Sequence, residues 1–228
     1  VHGSRGLGDV YKRQLSNLKI KCPSPLKSKK GNYLFNLKSK KACLVSFLKG
    51  KDKKKLKKED LYVIGKNIGK MHKASRKIRL YRKNTFSPLK LKNLLDSINK
   101  NKINKLSKNL VSEMKNTFME IKQGWPKTLP KNIIHGDLFI DNIFFHRGKF
   151  LGFIDFYFSS NDFEAYELAT CINALCFNKR KKKFSYDKGK TLQLIKGYET
   201  IRKLQKKEKD CLNIPVSYTH LTLPTKDS

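Results

Sequence analysis

The stretch from Ile133 to Phe156 constrains this chain more than any other, because three apolar, strand-forming runs are cut by two short polar breaks. Ile133-Ile134 leads into a loop from His135 to Asn142. Ile143–Phe145 follows, then a turn at His146-Arg147-Gly148 and a second run, Phe150–Phe156. Aromatic and β-branched runs around a glycine turn predict a loop followed by a β-hairpin. The loop carries His135-Gly136-Asp137 and, after four intervening residues, Asn142; Asp155 stands thirteen residues beyond Asn142, at the end of the hairpin's second strand. Phosphoryl transfer to an alcohol needs this set: a carboxylate beside the attacking hydroxyl, and oxygen ligands that hold Mg²⁺ against the phosphates. Asp137 would orient or deprotonate the acceptor, and Asn142 and Asp155 would bind Mg²⁺. A lone His-Gly-Asp arises by chance, and Asp or Asn in a loop often only caps a turn. The joint pattern is what favours the chemical reading. His135 reads as structural support of the loop rather than as a proton carrier.

Upstream, Asn17–Lys21 reads as a short strand before the extended Cys22-Pro23-Ser24-Pro25. Tyr33–Leu37 and Ala42–Leu48 read as a hairpin around Lys38-Ser39-Lys40-Lys41. Leu61, Ile64, Ile68 and Met71 recur at helical spacing and predict a helix over Glu59–Lys73; Gly65 and Gly69 on one face predict close helix packing. After a polar stretch, helices are expected at Leu110–Lys122, Phe163–Phe177 and, beyond a basic segment, Thr191–Leu204. Strands early and helices late give an α+β, two-lobe arrangement.

With 228 residues, 38% of them hydrophobic, the chain can bury a core although 31% are charged. No apolar run approaches the roughly 20 residues that span a bilayer, so no membrane partner is expected. Five cysteines without metal-ligand spacing read as reduced, mostly buried thiols of a cytoplasmic protein. The net charge of +34 would suit nucleic acid. Lysine far outnumbers arginine, however, and lysine, asparagine and isoleucine share A/T-rich codons. The lysines are scattered through every segment without interleaved aromatics, which argues against a nucleic-acid partner.

Residues 1–14 and 216–228 look like artefactual, adapter-derived sequence, since Asp9–Gln14 and Val216–His220 back-translate to opposite strands of one oligonucleotide. Setting them apart removes Gly3, Gly6 and Gly8, which would otherwise imitate a phosphate loop.

The span Ile133–Asn173 resembles the aminoglycoside/choline kinase-like phosphotransferase superfamily, and within it the homoserine kinase branch. Ile134–Phe145 resembles that branch's H-(A/G)-D-L-F-x-D-N-V-x-F. Ile154–Phe158 with Asn161-Asp162 and Tyr166–Ala169 resembles I-D-F-Y-x-A-x-N-D followed by Y-D-L-A. Cys22–Pro25 and Gly65-x-x-x-Gly69-x-x-His72 match further segments. The resemblance implies a protein-kinase-like fold, with residues 15–50 as the remnant of an N-lobe and hinge and 51–215 as a truncated C-lobe. It implies ATP and Mg²⁺ as cofactors and homoserine as acceptor, converted to O-phosphohomoserine on the way to threonine. The backbone of Ser46, Phe47 and Leu48 would meet adenine, and Tyr157 and Asp162 would line the acceptor pocket, although Asp162 could equally cap the helix starting at Phe163. Choline, ethanolamine, aminoglycoside or sugar kinases, and a basic nucleic-acid-binding protein on a degenerate kinase fold, remain alternatives. The sequence departs from the branch at Gly136, at Ser159-Ser160 and at Glu167, where Asp is expected. The family's phosphate loop and ATP-binding lysine would precede residue 17, so the fragment by itself is expected to be inactive.

Overall fold

A computed structural model describes residues 20–85, 87–98, 109–180 and 183–212. The adapter-like ends and most of the expected strand Asn17–Lys21 lie outside the described residues. Two small ribbons come first: β1 (Pro25–Leu26) pairs with β4 (Leu44–Val45), and β2 (Phe35–Leu37) pairs with β3 (Lys40–Ala42). The expected hairpin therefore exists but is shorter, because the run Ala42–Leu48 divides between two partners. Its remainder, Ser46–Leu48, is held back toward the proline segment: the Ser46 N–H donates to the Ser24 carbonyl (2.8 Å), and the Ser24 N–H donates to Ser46 Oγ (2.8 Å).

The rest is a helical body around two hairpins. Helix α1 (Lys58–Ser75) begins with Glu59 and Asp60 in its first turn, which suits the positive end of the helix dipole, and Asp60 accepts the Lys57 N–H (2.9 Å). Helix α2 (Pro88–Ser97) starts on the Ser87 side chain with proline at its first position and buries Leu91 and Leu95. The polar stretch of the sequence thus hides a helix, with only a two-residue apolar stripe to announce it. It packs on α3 (Leu110–Gly124). Strand β5 (Lys131–Ile134) pairs with β8 (Ser160–Phe163), and β6 (Ile143–His146) pairs with β7 (Lys149–Phe153) around the expected turn. Helix α4 (Glu164–Leu175) is buried on nearly all sides. A hairpin, β9 (Phe177–Arg180) with β10 (Lys183–Tyr186), occupies the expected basic segment, and α5 (Lys188–Glu199) and α6 (Lys206–Asp210) complete the order.

Period-2 alternation in β5 joins two cores. Ile133 packs into a large cluster with Ile64, Ile68, Phe153 and Leu168, whereas Ile134 faces a second one with Leu91, Phe118 and Tyr166. The large core depends on an unusually close crossing of α1 and α5. A Cβ on Gly65 would lie 2.0 Å from the Leu194 carbonyl oxygen, and one on Gly197 would lie 1.9 Å from that of Tyr62. Both obstacles are backbone, so the helices cannot yield locally. The spacing of Gly65 predicted this role; Gly197 is its unannounced counterpart. Cys22, Cys171 and Cys176 are buried, and burial pushes the Cys176 thiol up to about 11. No helix among the described residues is long and apolar enough to cross a membrane. Gly65→Ala should separate α1 from α5 and lower stability by about 3 kcal/mol, read from urea unfolding of the purified chain. An unchanged midpoint would mean that the close crossing does not hold the core.

Candidate active site

Strand β5 delivers the chain into the loop at His135, and Gly136 makes the turn. Its φ is +80°, and a Cβ there would sit 2.8 Å from the Phe158 carbonyl oxygen, so glycine is required twice over. The buried His135 ring stands against Phe156, with centroids 4.4 Å apart. Its Nε2 meets the Ile154 carbonyl at 2.8 Å, and a carbonyl can only accept. Nε2 therefore carries the proton, which leaves Nδ1 to accept the Asp137 N–H (3.3 Å). The ring thus ties the hairpin strand to the backbone of Asp137.

Asp137 and Asn142 come together across a short 3₁₀ turn, Ile140–Asn142. The Asn142 side chain donates through Nδ2 to the Asp137 carbonyl (2.7 Å) and to Asp137 Oδ2 (3.1 Å). Both bonds use the amide nitrogen, so Oδ1 is the end available to a cation. The Asn142 carbonyl accepts the Ile154 N–H (3.0 Å), which places the Asp155 backbone next to this pair. Asp155 is exposed, in a left-handed conformation at φ 56°, and among the described residues its carboxylate accepts only the Tyr157 N–H (3.3 Å). Two hard oxygen donors, one amide and one carboxylate, suit Mg²⁺, which keeps waters and takes phosphate oxygens for the rest of its shell. Among the described residues no cluster of three His, Cys, Asp or Glu side chains offers a metal site of its own.

Behind the loop stands a carboxylate from α4. Glu167 is 1% exposed, and its two oxygens accept the N–H groups of His135 and Gly136, each at 2.8 Å. Oε2 also meets His72 Nε2 at 3.0 Å, and the other side of that ring meets the Tyr198 hydroxyl at 2.9 Å. Burial pushes the Glu167 carboxyl up, but its bond to His72, the electrostatic pull of that ring and the bond from the His135 amide bring it below its ordinary value. Burial pushes the Tyr198 hydroxyl up. A second buried carboxylate, Glu164, binds Asn132 Nδ2 (2.8 Å), Arg202 Nε (2.6 Å) and Arg76 Nη2 (3.3 Å). The sequence hinted at these anchors only by placing two acids, Glu164 and Glu167, in an otherwise apolar helix.

The remaining expected residues flank this centre. Phe47 is 82% exposed and Leu48 is half-buried beside Gly152 of β7, so the Ser46–Leu48 segment borders the hairpin that carries Asp155. The Tyr157 carbonyl accepts Arg82 Nη1. Asp162 lies in β8 and accepts Asn84 Nδ2 (2.6 Å) and the Phe163 N–H (2.8 Å). Burial pushes its carboxyl up, against the pull of those two bonds. Phe163, not Asp162, is the N-cap of α4, so the Asp162 side chain braces the strand–helix junction rather than the helix's first turn. Arg82 and Asn84 had no sequence signal, since they sit in a segment without periodicity.

A phosphotransferase enzyme family matches residues 10–199 of the sequence. The chain belongs to that family. Among its relatives, a homoserine kinase of Agrobacterium fabrum (strain C58) is 36% identical over 193 residues, 85% of this chain and 59% of the relative. A homoserine kinase of Chelativorans sp. (strain BNC1) is 35% identical over 193 residues, with the same coverage. The chain spans about three fifths of the length of these phosphotransferases. The fold is that of solved kinases: an amicoumacin kinase in complex with AMP-PNP, Ca²⁺ and Ami superposes with a TM-score of 0.75 at 15% identity, over 96% of this chain and 68% of that one. A spectinomycin phosphotransferase bound to ADP and spectinomycin gives 0.66 at 14% identity, over 95% and 72%. The fold is therefore the protein-kinase-like α+β fold expected from the sequence.

The Glu167 carboxylate has a measurable signature. Its lowered value means that its stabilising contribution is present above the unfolded value of 4.5 and is lost as pH falls through the folded one. Glu167→Gln should cost about 3 kcal/mol at pH 7 and should flatten the loss of stability below pH 4.5. Urea unfolding at a series of pH values checks both, and parallel curves for the two proteins would contradict the role.

Proposed function

We propose that this chain carries the catalytic part of a homoserine kinase, which transfers the γ-phosphoryl group of ATP to the side-chain hydroxyl of L-homoserine. The observation that carries the reaction type is the Asp137–Asn142 pair, joined by hydrogen bonds at 2.7 and 3.1 Å, with Asp155 brought alongside by the Ile154–Asn142 backbone bond. The acceptor is supported by the homoserine kinases that match at 32–36% identity over most of the chain.

Asp137 accepts the proton of the acceptor hydroxyl as its oxygen forms a bond to the γ-phosphorus, and the bond from that phosphorus to the β-bridging oxygen breaks, releasing ADP. Asn142 holds Asp137 in place through Nδ2 and would offer Oδ1 to Mg²⁺, with the Asp155 carboxylate as the second protein ligand. When bound, Mg²⁺ neutralises charge on the phosphate oxygens. His135 keeps the Asp137 amide oriented through its Nδ1. Backbone groups of Ser46, Phe47 and Leu48 meet adenine, and Tyr157 and Asp162 face the acceptor. In this layout residues 15–50 belong to the N-lobe and hinge and residues 51–215 to the C-lobe.

ADP release coupled to NADH oxidation tests the reading, with the full-length enzyme containing this chain. Homoserine should be turned over in preference to choline, ethanolamine and aminoglycosides. Asp137→Asn should lower kcat by about 10²–10⁴-fold with little change in KM for ATP. Asp155→Ala should abolish the Mg²⁺-dependent rate. Absence of turnover with homoserine would rule out the acceptor, and an active Asp137→Asn enzyme would rule out the mechanism.

A further inference from the structure

We propose that Arg82 is the residue that recognises the acceptor's carboxylate, an assignment that rests on the homoserine reading above. After α1 the chain runs back across the site as a strap. Ile78 and Leu80 pack on the large core, and Arg82 then meets the segment that follows Asp155. The Arg82 N–H donates to Asn161 Oδ1 (2.7 Å), and the Arg82 carbonyl accepts the Asn161 N–H (2.7 Å). Nη1 donates to the carbonyls of Tyr157 and Ser159, the latter at 3.2 Å, and the guanidinium lies 5.8 Å from the centre of the Tyr157 ring. Two residues on, Asn84 fixes the strap to Asp162 (2.6 Å). Arg82 is thus an oriented side chain, unlike the solvated lysines around it.

What that orientation leaves over is a planar edge. Nε and Nη2 of Arg82 donate no hydrogen bond among the described residues, and no carboxylate there pairs with the guanidinium. The other arginines built into the body behave differently: Arg76 and Arg202 both bind the buried Glu164. Among the described residues this half-buried guanidinium donates to neutral carbonyls, and its remaining edge fits a carboxylate in a bidentate manner that an ammonium could not reproduce. Its place is beside the chemistry. The Phe158 carbonyl, between Arg82's two anchors, is the group against which Gly136 packs, and Ser159 Oγ donates to the His135 carbonyl (3.5 Å). An amino acid with its hydroxyl at Asp137 can lay its carboxylate on Arg82. Choline and ethanolamine bring no carboxylate, and their cationic groups would be repelled by the same guanidinium.

The test compares two acceptors on the full-length enzyme: L-homoserine and 3-aminopropan-1-ol, its analogue without the carboxylate. Arg82→Gln should raise KM for homoserine by about 10–100-fold, the range of a lost charge-assisted bond, with kcat changed far less. Turnover of 3-aminopropan-1-ol, which has no carboxylate to lose, should fall far less in Arg82→Gln than turnover of homoserine does. Arg82→Lys, which keeps the charge and a donor for the Tyr157 and Ser159 carbonyls, should fall between Arg82→Gln and the unaltered enzyme, with a melting temperature near wild type. Equal losses on both acceptors would assign Arg82 to the phosphoryl group or to loop support and overturn the proposal, as would an unchanged KM for homoserine. A wild-type enzyme that ignores homoserine would remove the acceptor reading itself, and this assignment with it.

Discussion

Everything that makes the His135–Asn142 loop a defined surface hangs on the Glu167 carboxylate. Two backbone N–H groups at the start of a loop, buried beneath a hairpin, would each cost free energy if left without an acceptor. One carboxylate satisfies both at 2.8 Å and is itself fixed by His72, which is fixed by Tyr198. Those three side chains come from α4, α1 and α5, so the loop is referenced to three helices at once. The close Gly65–Leu194 and Tyr62–Gly197 contacts matter for the same reason: they set the α1–α5 separation that lets Tyr198 reach His72. Glu at this position, where the resemblance to the homoserine kinase branch leads one to expect Asp, has one more methylene and makes both bonds.

The acidic residues are where the charge of this chain becomes specific. Of the charged side chains, 52 are basic and 18 acidic, so a carboxylate rarely lacks a cation nearby and a cation often lacks a carboxylate. Burial reverses that abundance. Glu164, Glu167 and Glu208 are almost wholly enclosed, and each is matched by histidine or arginine rather than by lysine. Arginine and histidine present planar, directional donors that can share one carboxylate with backbone amides, whereas lysine's ammonium is a hydrated point charge; the buried Lys190 meets an amide oxygen, Asn178 Oδ1 (2.8 Å), rather than one of these glutamates. The net charge therefore describes the exterior, while a small set of acid–arginine and acid–histidine contacts describes the working interior.

Much of this was legible in the sequence because it depended on local rules. The hairpin at Ile143–Phe153 follows from alternation and a turn, the helices α1, α3 and α4 follow from apolar spacing, and the Asp137–Asn142 pairing follows from a fixed spacing on one loop. What escaped depended on contacts between distant segments. Helix α2 shows only Leu91 and Leu95 to the core, too short a stripe to stand out among lysines. The hairpin at Phe177–Tyr186 has no apolar alternation to mark it. Asn132, which ties the His72 carbonyl to Glu164, looks like any polar residue before a strand. Glu167 was visible as an oddity against the family pattern, yet its partners, 31 and 95 residues away, were not.

The same distinction explains why the loop is braced from two directions. Glu167 and His135 hold its backbone from inside the body, with bonds to amide nitrogens and to the Ile154 carbonyl. The Arg82–Asn84 strap holds the following segment from outside, with bonds to carbonyls and to Asp162. The two braces engage different backbone groups, the amides of His135, Gly136 and Asp137 with the Ile154 carbonyl on one side and the Tyr157 and Ser159 carbonyls on the other, so neither competes with the other. Asp155 sits between them in a left-handed conformation that an isolated residue would leave readily. Its exposed carboxylate stays aimed because the residues on both sides are pinned. In the Mg²⁺-binding role proposed for Asp155 that arrangement would be an advantage, since the side chain remains solvated while its backbone is held on both sides.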